Sequence, residues 1–218
     1  MIAEGKDTKW RDVGALLLGA FAFRLFFVLA MPRVVDSPDA VHYIQLAERF
    51  AEGDWFARHA RIPVLLPLLG SFLYPVTGNM EWACRLVSFI ASVLLVVPVY
   101  SLSRNMHGPR TARLAGILAA IWPWLADYGG RVTPEALATT LWFAGAVLLL
   151  YAVRFGGIWA FLAPLCYFAL HLTRPEGLVL LAAAPFGAWA CLCLKSQDGK
   201  ARRMVPYVLL SAALLALY

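Results

Sequence analysis

Residues Val35–Phe56 read VDSPDAVHYIQLAERFAEGDWF. This long polar stretch follows directly on an apolar run, Val13–Met31, that is long enough to cross a bilayer. Ser37 suits the N-cap of a helix and Pro38 its first position, where the missing N–H does no harm. Ala40, Tyr43, Ala47 and Phe50, joined by Ile44 and Ala51, then fall on one face at helical spacing; His42, Gln45, Glu48, Arg49 and Glu52 take the other. Gly53 is placed to end the helix. The spacing predicts a short amphipathic helix laid on a membrane surface. Asp36 and Asp39 stand at its N-terminal end, where the helix dipole favours the carboxylate form, and His42 and Tyr43 lie one turn on from Asp39. Two carboxylates held there suit a general base or a divalent-metal site. The plainer reading is a capping acid on a solvated loop.

Outward from this stretch the chain is apolar. Of its 218 residues, 61% are hydrophobic and 15% charged, where a soluble domain is about half apolar and a quarter charged. The excess lies in runs of spanning length, so the expected fold is an all-α polytopic transmembrane bundle. It has about seven spans, forms a single transmembrane domain over residues 1–218, and carries amphipathic and re-entrant helices in a first extracytoplasmic loop over residues 32–80. After Val13–Met31 the spans are Trp82–Ser103, Leu114–Ala126, Ala136–Val153, Ile158–Leu172, Leu178–Leu194 and a last run from Met204. Ile62–Val76, with Pro63, Pro67, Gly70 and Pro75, is short for a simple span and reads as interfacial or re-entrant. The run ends at Tyr218 with no loop or tail after it, as expected of the N-terminal part of a longer protein. Arg24 lies inside the first span; a charge there costs roughly 2.5–3.5 kcal/mol on insertion scales, so it should face protein or a polar cavity. Cys84, Cys166, Cys191 and Cys193 sit in apolar runs without zinc-type spacing and read as structural thiols.

The +6 net charge is a topological signal, not one for nucleic acid. With the N-terminus in the cytoplasm, Lys6, Lys9, Arg11, Arg104, Arg110, Arg113, Arg154, Lys195, Lys200, Arg202 and Arg203 all fall inside, as the positive-inside rule requires. The protein is then a multi-pass protein of the inner or plasma membrane. Three polar notches, around Asp39, Arg131 and Arg174, fall outside and can converge on one extracytoplasmic site. In the last two, arginines can pair with nearby carboxylates, Arg131 with Glu135 and Arg174 with Glu176. Alternatively Arg61, Arg131 or Arg174 binds a phosphate, for which the guanidinium fork is suited. No GxxxxGK[ST], HExxH, GxSxG or CxxC motif occurs, so ATP hydrolysis, metalloproteolysis and serine hydrolysis have no support.

An ordered set of segments carries a family resemblance. An internal RL in the first helix is followed by DSPDAVHYIQLAERFAEGDW, HARIPVLLPLLGSFLYPVTGN, RLVSFIASVLLVVPVYSLSR, TPEAL and LTRPEGLVLL. From roughly Ala15 to Ala190 this resembles the N-terminal half of the GT-C fold lipid-linked-sugar glycosyltransferases, in particular the protein mannosyltransferase and aminoarabinose transferase group. The resemblance implies a membrane enzyme that takes a sugar from a polyprenyl-phosphate carrier. It transfers that sugar on the extracytoplasmic side, with inversion, to a protein, lipid or glycan acceptor. The family's acid four residues before a Tyr falls on Asp39 before Tyr43, with Asp36 as companion acid; a divalent ion, Mg or Mn, would sit on these two. The family has two acids adjacent or one apart in this loop, and here two residues intervene. Its basic residue before the Pro-rich run falls on His59 or Arg61, its Glu after a Pro on Glu135, and its later basic residue on Arg174. With His42, Tyr43, Arg131 and Glu176 these make the expected substrate-binding set. Two other readings stand beside it. A transporter or flippase for lipid-linked or anionic substrates would use the same intramembrane Arg and outer carboxylates, though no repeat of broken helices is evident. The other is a fragment without chemistry of its own.

Overall fold

The computed structural model describes residues 4–30, 38–59, 61–194 and 198–216, and every regular element among them is helical. They fall into two compact units, Met1–Thr140 and Leu141–Tyr218. Three helical stretches are long and apolar enough to cross a membrane, Lys9–Ala30, Met80–His107 and Glu135–Phe155. Leu65–Thr77, Trp159–His171, Glu176–Ala190 and Val205–Ala216 are shorter apolar helices. The chain is an all-α membrane bundle.

In the first unit α1 (Glu4–Ala30) is followed by α2 (Pro38–Ala51), which begins at the proline that the sequence places there. The expected cap Ser37 lies outside the described residues, as does Asp36. The C-terminus of α2 closes as a Schellman turn: Gly53 N–H donates to the Phe50 carbonyl and Asp54 N–H to that of Arg49. Gly53 takes φ +92° to do so, a conformation glycine reaches without a Cβ penalty. The apolar face of α2 is not left for lipid. Ala40, Tyr43, Leu46, Ala47 and Phe50 are each at most 4% exposed, and the helix packs on α3 (Leu65–Thr77) and α4 (Met80–Leu94). Ile44 and Ala51, expected on that face, sit at its margins, and Leu46 takes their place.

Helices α3 and α4 form a tight hairpin. Gly78 at φ +65° caps α3 by donating to the Tyr74 carbonyl, and the Asn79 side chain accepts the Trp82 N–H at the start of α4. A Cβ on Gly70 would lie 2.6 Å from Cys84 Sγ, so the two helices approach closely there. α3, with 13 residues, rises about 20 Å, short of a bilayer core of about 30 Å. α4 passes into α5 (Val96–His107) through a bend at Leu95. Pro98 explains it, since its ring crowds the Leu94 carbonyl and it has no N–H to donate.

The run Leu114–Ala126, expected as one span, is two helices, α6 (Pro109–Ile121) and α7 (Pro123–Gly130). Trp122 between them is extended, at φ −68° and ψ 115°, as residues before proline prefer. Pro123 cannot donate to the Ala119 carbonyl, so α6 ends with unsatisfied acceptors. Arg24 of α1 meets this need: its guanidinium donates to the Ala119 carbonyl at 2.9 Å and to the Ala120 carbonyl at 2.7 Å, with no surface exposed. The charge faces protein, as its depth demands. Beside it Val13, Leu16, Ala20, Val96, Tyr100, Ala112 and Ala119 form an apolar core.

α8 (Glu135–Phe155) begins in the first unit and ends in the second. In the second unit α9 (Trp159–His171), α10 (Glu176–Leu194) and α12 (Val205–Ala216) pack on one another, with α11 (Asp198–Arg203) against α10 and α12. Arg203 donates to the Arg154 carbonyl, tying the end of α11 to the end of α8.

Candidate functional site

Asp39 occupies the first turn of α2, exposed, and makes no ion pair with another described residue. One turn on, the His42 ring lies against the His59 ring with centroids 4.7 Å apart and planes inclined by 30°. That contact folds the segment after the Schellman turn back onto the polar side of α2. His59 Nδ1 accepts the backbone N–H of Arg61 at 3.2 Å, which fixes the turn on which Arg61 stands exposed. Arg58 beside it donates to the Ala57 carbonyl. The structure therefore brings His42 and His59 together, with Asp39 one turn before His42 on α2 and Arg61 just after His59 on the loop. Tyr43 has a different place: its side chain is 4% exposed, in the α2 face that packs on protein.

Arg131, at the end of α7, holds Asp127 one turn earlier with two contacts of 3.0 Å, Nε to Oδ2 and Nη2 to Oδ1. Glu135 is the first residue of α8 and half-buried. α4 packs against both α2 and α7. In the second unit Arg174 and Glu176 form the pair their spacing allows, with Nη2 to Oε1 at 3.2 Å and Nε to Oε2 at 3.3 Å. Glu176 is the first residue of α10, and its carboxyl is held below the ordinary value, first by its own backbone N–H at the helix start and then by Arg174. The pair stands on a sharp turn. A Cβ on Gly177 would lie 2.2 Å from the His171 backbone nitrogen, so only glycine lets α10 start this close to the end of α9.

Two arginines have structural weight that their sequence setting understates. Arg24 is one. Arg85 is the other: 7% exposed, it pairs with Glu81 at 2.7 Å and lies 5.4 Å from the Trp82 ring centre. With Leu25, Val28, Leu86 and Phe89 it lines an apolar groove of about 160 Å³. The signal available for it was the four-residue spacing of Glu81 and Arg85 on one helix face.

No three His, Cys, Asp or Glu side chains among the described residues converge into a group that could hold a metal ion. Asp36, which the sequence pairs with Asp39 as the ligands of a divalent ion, lies outside the described residues, and no chemical step is assigned to a metal.

Geometry of this kind is compatible with an enzyme or with a scaffold. Residues 61–218 match the family described as dolichyl-phosphate-mannose-protein mannosyltransferase. The chain belongs to that family. No curated protein matches it. The mannosyltransferase family consists of membrane glycosyltransferases that draw on a lipid-linked sugar, and the apolar helices make this member an integral membrane protein. Arg61, Arg131, Glu135, Arg174 and Glu176 lie within the matched residues; Asp39, His42 and His59 precede them.

Proposed function

We propose that this mannosyltransferase-family chain moves a sugar from a polyprenyl-phosphate carrier to an acceptor hydroxyl on the extracytoplasmic side, with Asp39 as general base. The observation that supports the reading is the stacking of His59 on His42, which ties the loop that carries the exposed Arg61 to the helix that carries Asp39, a carboxylate with no ion pair to another described residue. Arg131 and Arg174 already serve carboxylates of their own units. Arg61 is therefore the donor assigned to the lipid phosphate, helped by the imidazoles of His59 and His42.

Asp39 takes the proton of the acceptor hydroxyl as its oxygen attacks the anomeric carbon. The bond from that carbon to the phosphate oxygen breaks on the opposite face, and the electron pair leaves with the lipid phosphate. Arg61 offsets the charge that develops on the departing oxygen. Asp36, three residues before Asp39, is the alternative base. The outer placement follows from the Lys/Arg asymmetry of the loops.

The test is sugar transfer in reconstituted membranes, with polyprenyl-phosphate mannose as first donor. Asp39→Asn should lower turnover by on the order of 10²–10⁴ while leaving the fold intact. Arg61→Ala should chiefly raise the donor KM. Normal turnover in Asp39→Asn with Asp36→Asn inactive moves the base to Asp36, and normal turnover in both removes this loop from the chemistry.

A further inference from the structure

At the end of the first unit that carries the N-terminus, α1 and α6 diverge around an open groove of about 340 Å³, within the range of sites that hold small ligands. Small residues, Ala15 and Gly19 on α1 and Ala120 on α6, line it together with Ile117 and Ile121. Both isoleucines are nearly half exposed. The groove runs from Arg113 to Ile121, eight residues of helix or about 12 Å along the axis.

Its mouth is polar and its depth apolar. Arg113 Nε donates to Asp12 Oδ2 at 2.9 Å, and the Tyr100 hydroxyl donates to the same oxygen at 3.1 Å. Asp12 is thus committed within the protein, while Arg113 keeps half its side chain exposed. The cationic excess is local. Residues 104–113 carry three arginines and no acid, whereas residues 4–12 carry three acids against three bases. Trp10 marks the level of the mouth. It is 63% exposed, with Lys9 Nζ 5.5 Å from its ring centre, the arrangement of an interfacial anchor.

From this geometry we infer that the groove holds one acyl chain of an anionic phospholipid from the leaflet adjoining the N-terminal end of α1, with the headgroup phosphate at Arg113 and Arg110. The occupant must be apolar over some 12 Å of depth and negative at one end. A membrane lipid has that form, and the basic segment 104–113 selects its charge. The site lies on residues other than those proposed for sugar transfer and is independent of that reading.

The experiment titrates the purified chain in detergent with a phosphatidylglycerol or a phosphatidylcholine of identical acyl chains and counts bound lipid by native mass spectrometry. Wild type should bind the anionic lipid at least roughly tenfold more tightly. Gly19→Leu adds a side chain at the groove lining, where a Cβ meets nothing within 4 Å, and should abolish the preference. Arg113→Gln leaves the groove open and should weaken only the anionic lipid, by about fivefold, the usual effect of one cation at a lipid surface. Equal binding of the two lipids by wild type overturns the inference, as does an unchanged preference in Arg113→Gln. A dimer that disappears in Gly19→Leu also overturns it, because a second copy of the chain would then be the occupant.

Discussion

Arg24→Met removes a buried guanidinium and keeps a long apolar side chain, so it isolates what the two hydrogen bonds to α6 contribute. Each carbonyl left without a donor in the interior costs about 1–3 kcal/mol. Methionine also removes a charge that is expensive at this depth, about 2.5–3.5 kcal/mol on insertion scales. Most of that cost is borne equally when α1 stays inserted and only the helix contacts are lost, so it largely cancels. The expected net loss is about 2–4 kcal/mol for the two carbonyls together. The decisive variant is the second one, Pro123→Ala. An alanine at 123 supplies the N–H that the Ala119 carbonyl lacks, so the helix can satisfy itself. In the Arg24→Met background it should recover about 1–2 kcal/mol, and in wild type, where Arg24 already donates at 2.9 Å, it should gain almost nothing. Reversible unfolding in mixed micelles, followed by circular dichroism on all four proteins, gives the coupling energy. Additivity within about 0.5 kcal/mol would refute the reasoning and leave Arg24 as a buried charge with no special tie to the break at Pro123.

Three further outcomes follow. Gly177→Ala should destabilise by about 1–3 kcal/mol in thermal unfolding, because its Cβ meets the His171 backbone; Gly187→Ala, where a Cβ meets nothing within 4 Å, should be neutral and serves as control. Single cysteines at positions 39 and 110 should react with an impermeant reagent from opposite faces of sealed membranes, and labelling from one face rejects the proposed topology. The Glu176 carboxyl has a lowered value when folded, so its contribution is present above the unfolded carboxylate range and lost as pH falls through the folded value. Wild type should therefore lose its small stability advantage over Glu176→Gln on acidification below about pH 4. The advantage is small because Glu176 and Arg174 are 55% and 41% exposed.

The helices were legible where local chemistry fixes them. Pro38 and Gly53 bound α2, and Gly78 with Asn79 makes the α3–α4 turn, because caps and turns act over three or four residues. The apolar periodicity of α2 was also plain, but not what it packs against: a stripe of Ala, Tyr and Phe reads the same whether lipid or protein covers it. The partner of Arg24 was less accessible still. It is a pair of backbone carbonyls 95 and 96 positions away, and carbonyls carry no residue type. The one trace was Pro123, whose missing N–H leaves an acceptor behind one turn earlier. At the candidate site the sequence supplied Asp39, His42, His59 and Arg61 as separate suggestions. It contained nothing to indicate that two of them stack, because a loop's return path depends on the turn that precedes it.

The charges of this chain can be ordered by what each already holds. Arg24 is spent on the end of α6, Arg85 on Glu81, Arg131 on Asp127, and Arg174 on Glu176. Each of these arrangements lowers the cost of a cation at or near apolar surroundings, and a ligand would have to compete with it for the guanidinium. Arg49 is likewise tied to Asp54 at the Schellman turn. Asp39 and Arg61 are exposed, make no ion pair with another described residue, and are held in place only through backbone and the stacked imidazoles. A ligand arriving there displaces water and disrupts no internal pair. A phosphate-bearing substrate would therefore bind at less cost on α2 and its following loop than at either of the other two notches, and this difference, more than the presence of arginines, is why the chemistry is proposed for the first polar stretch.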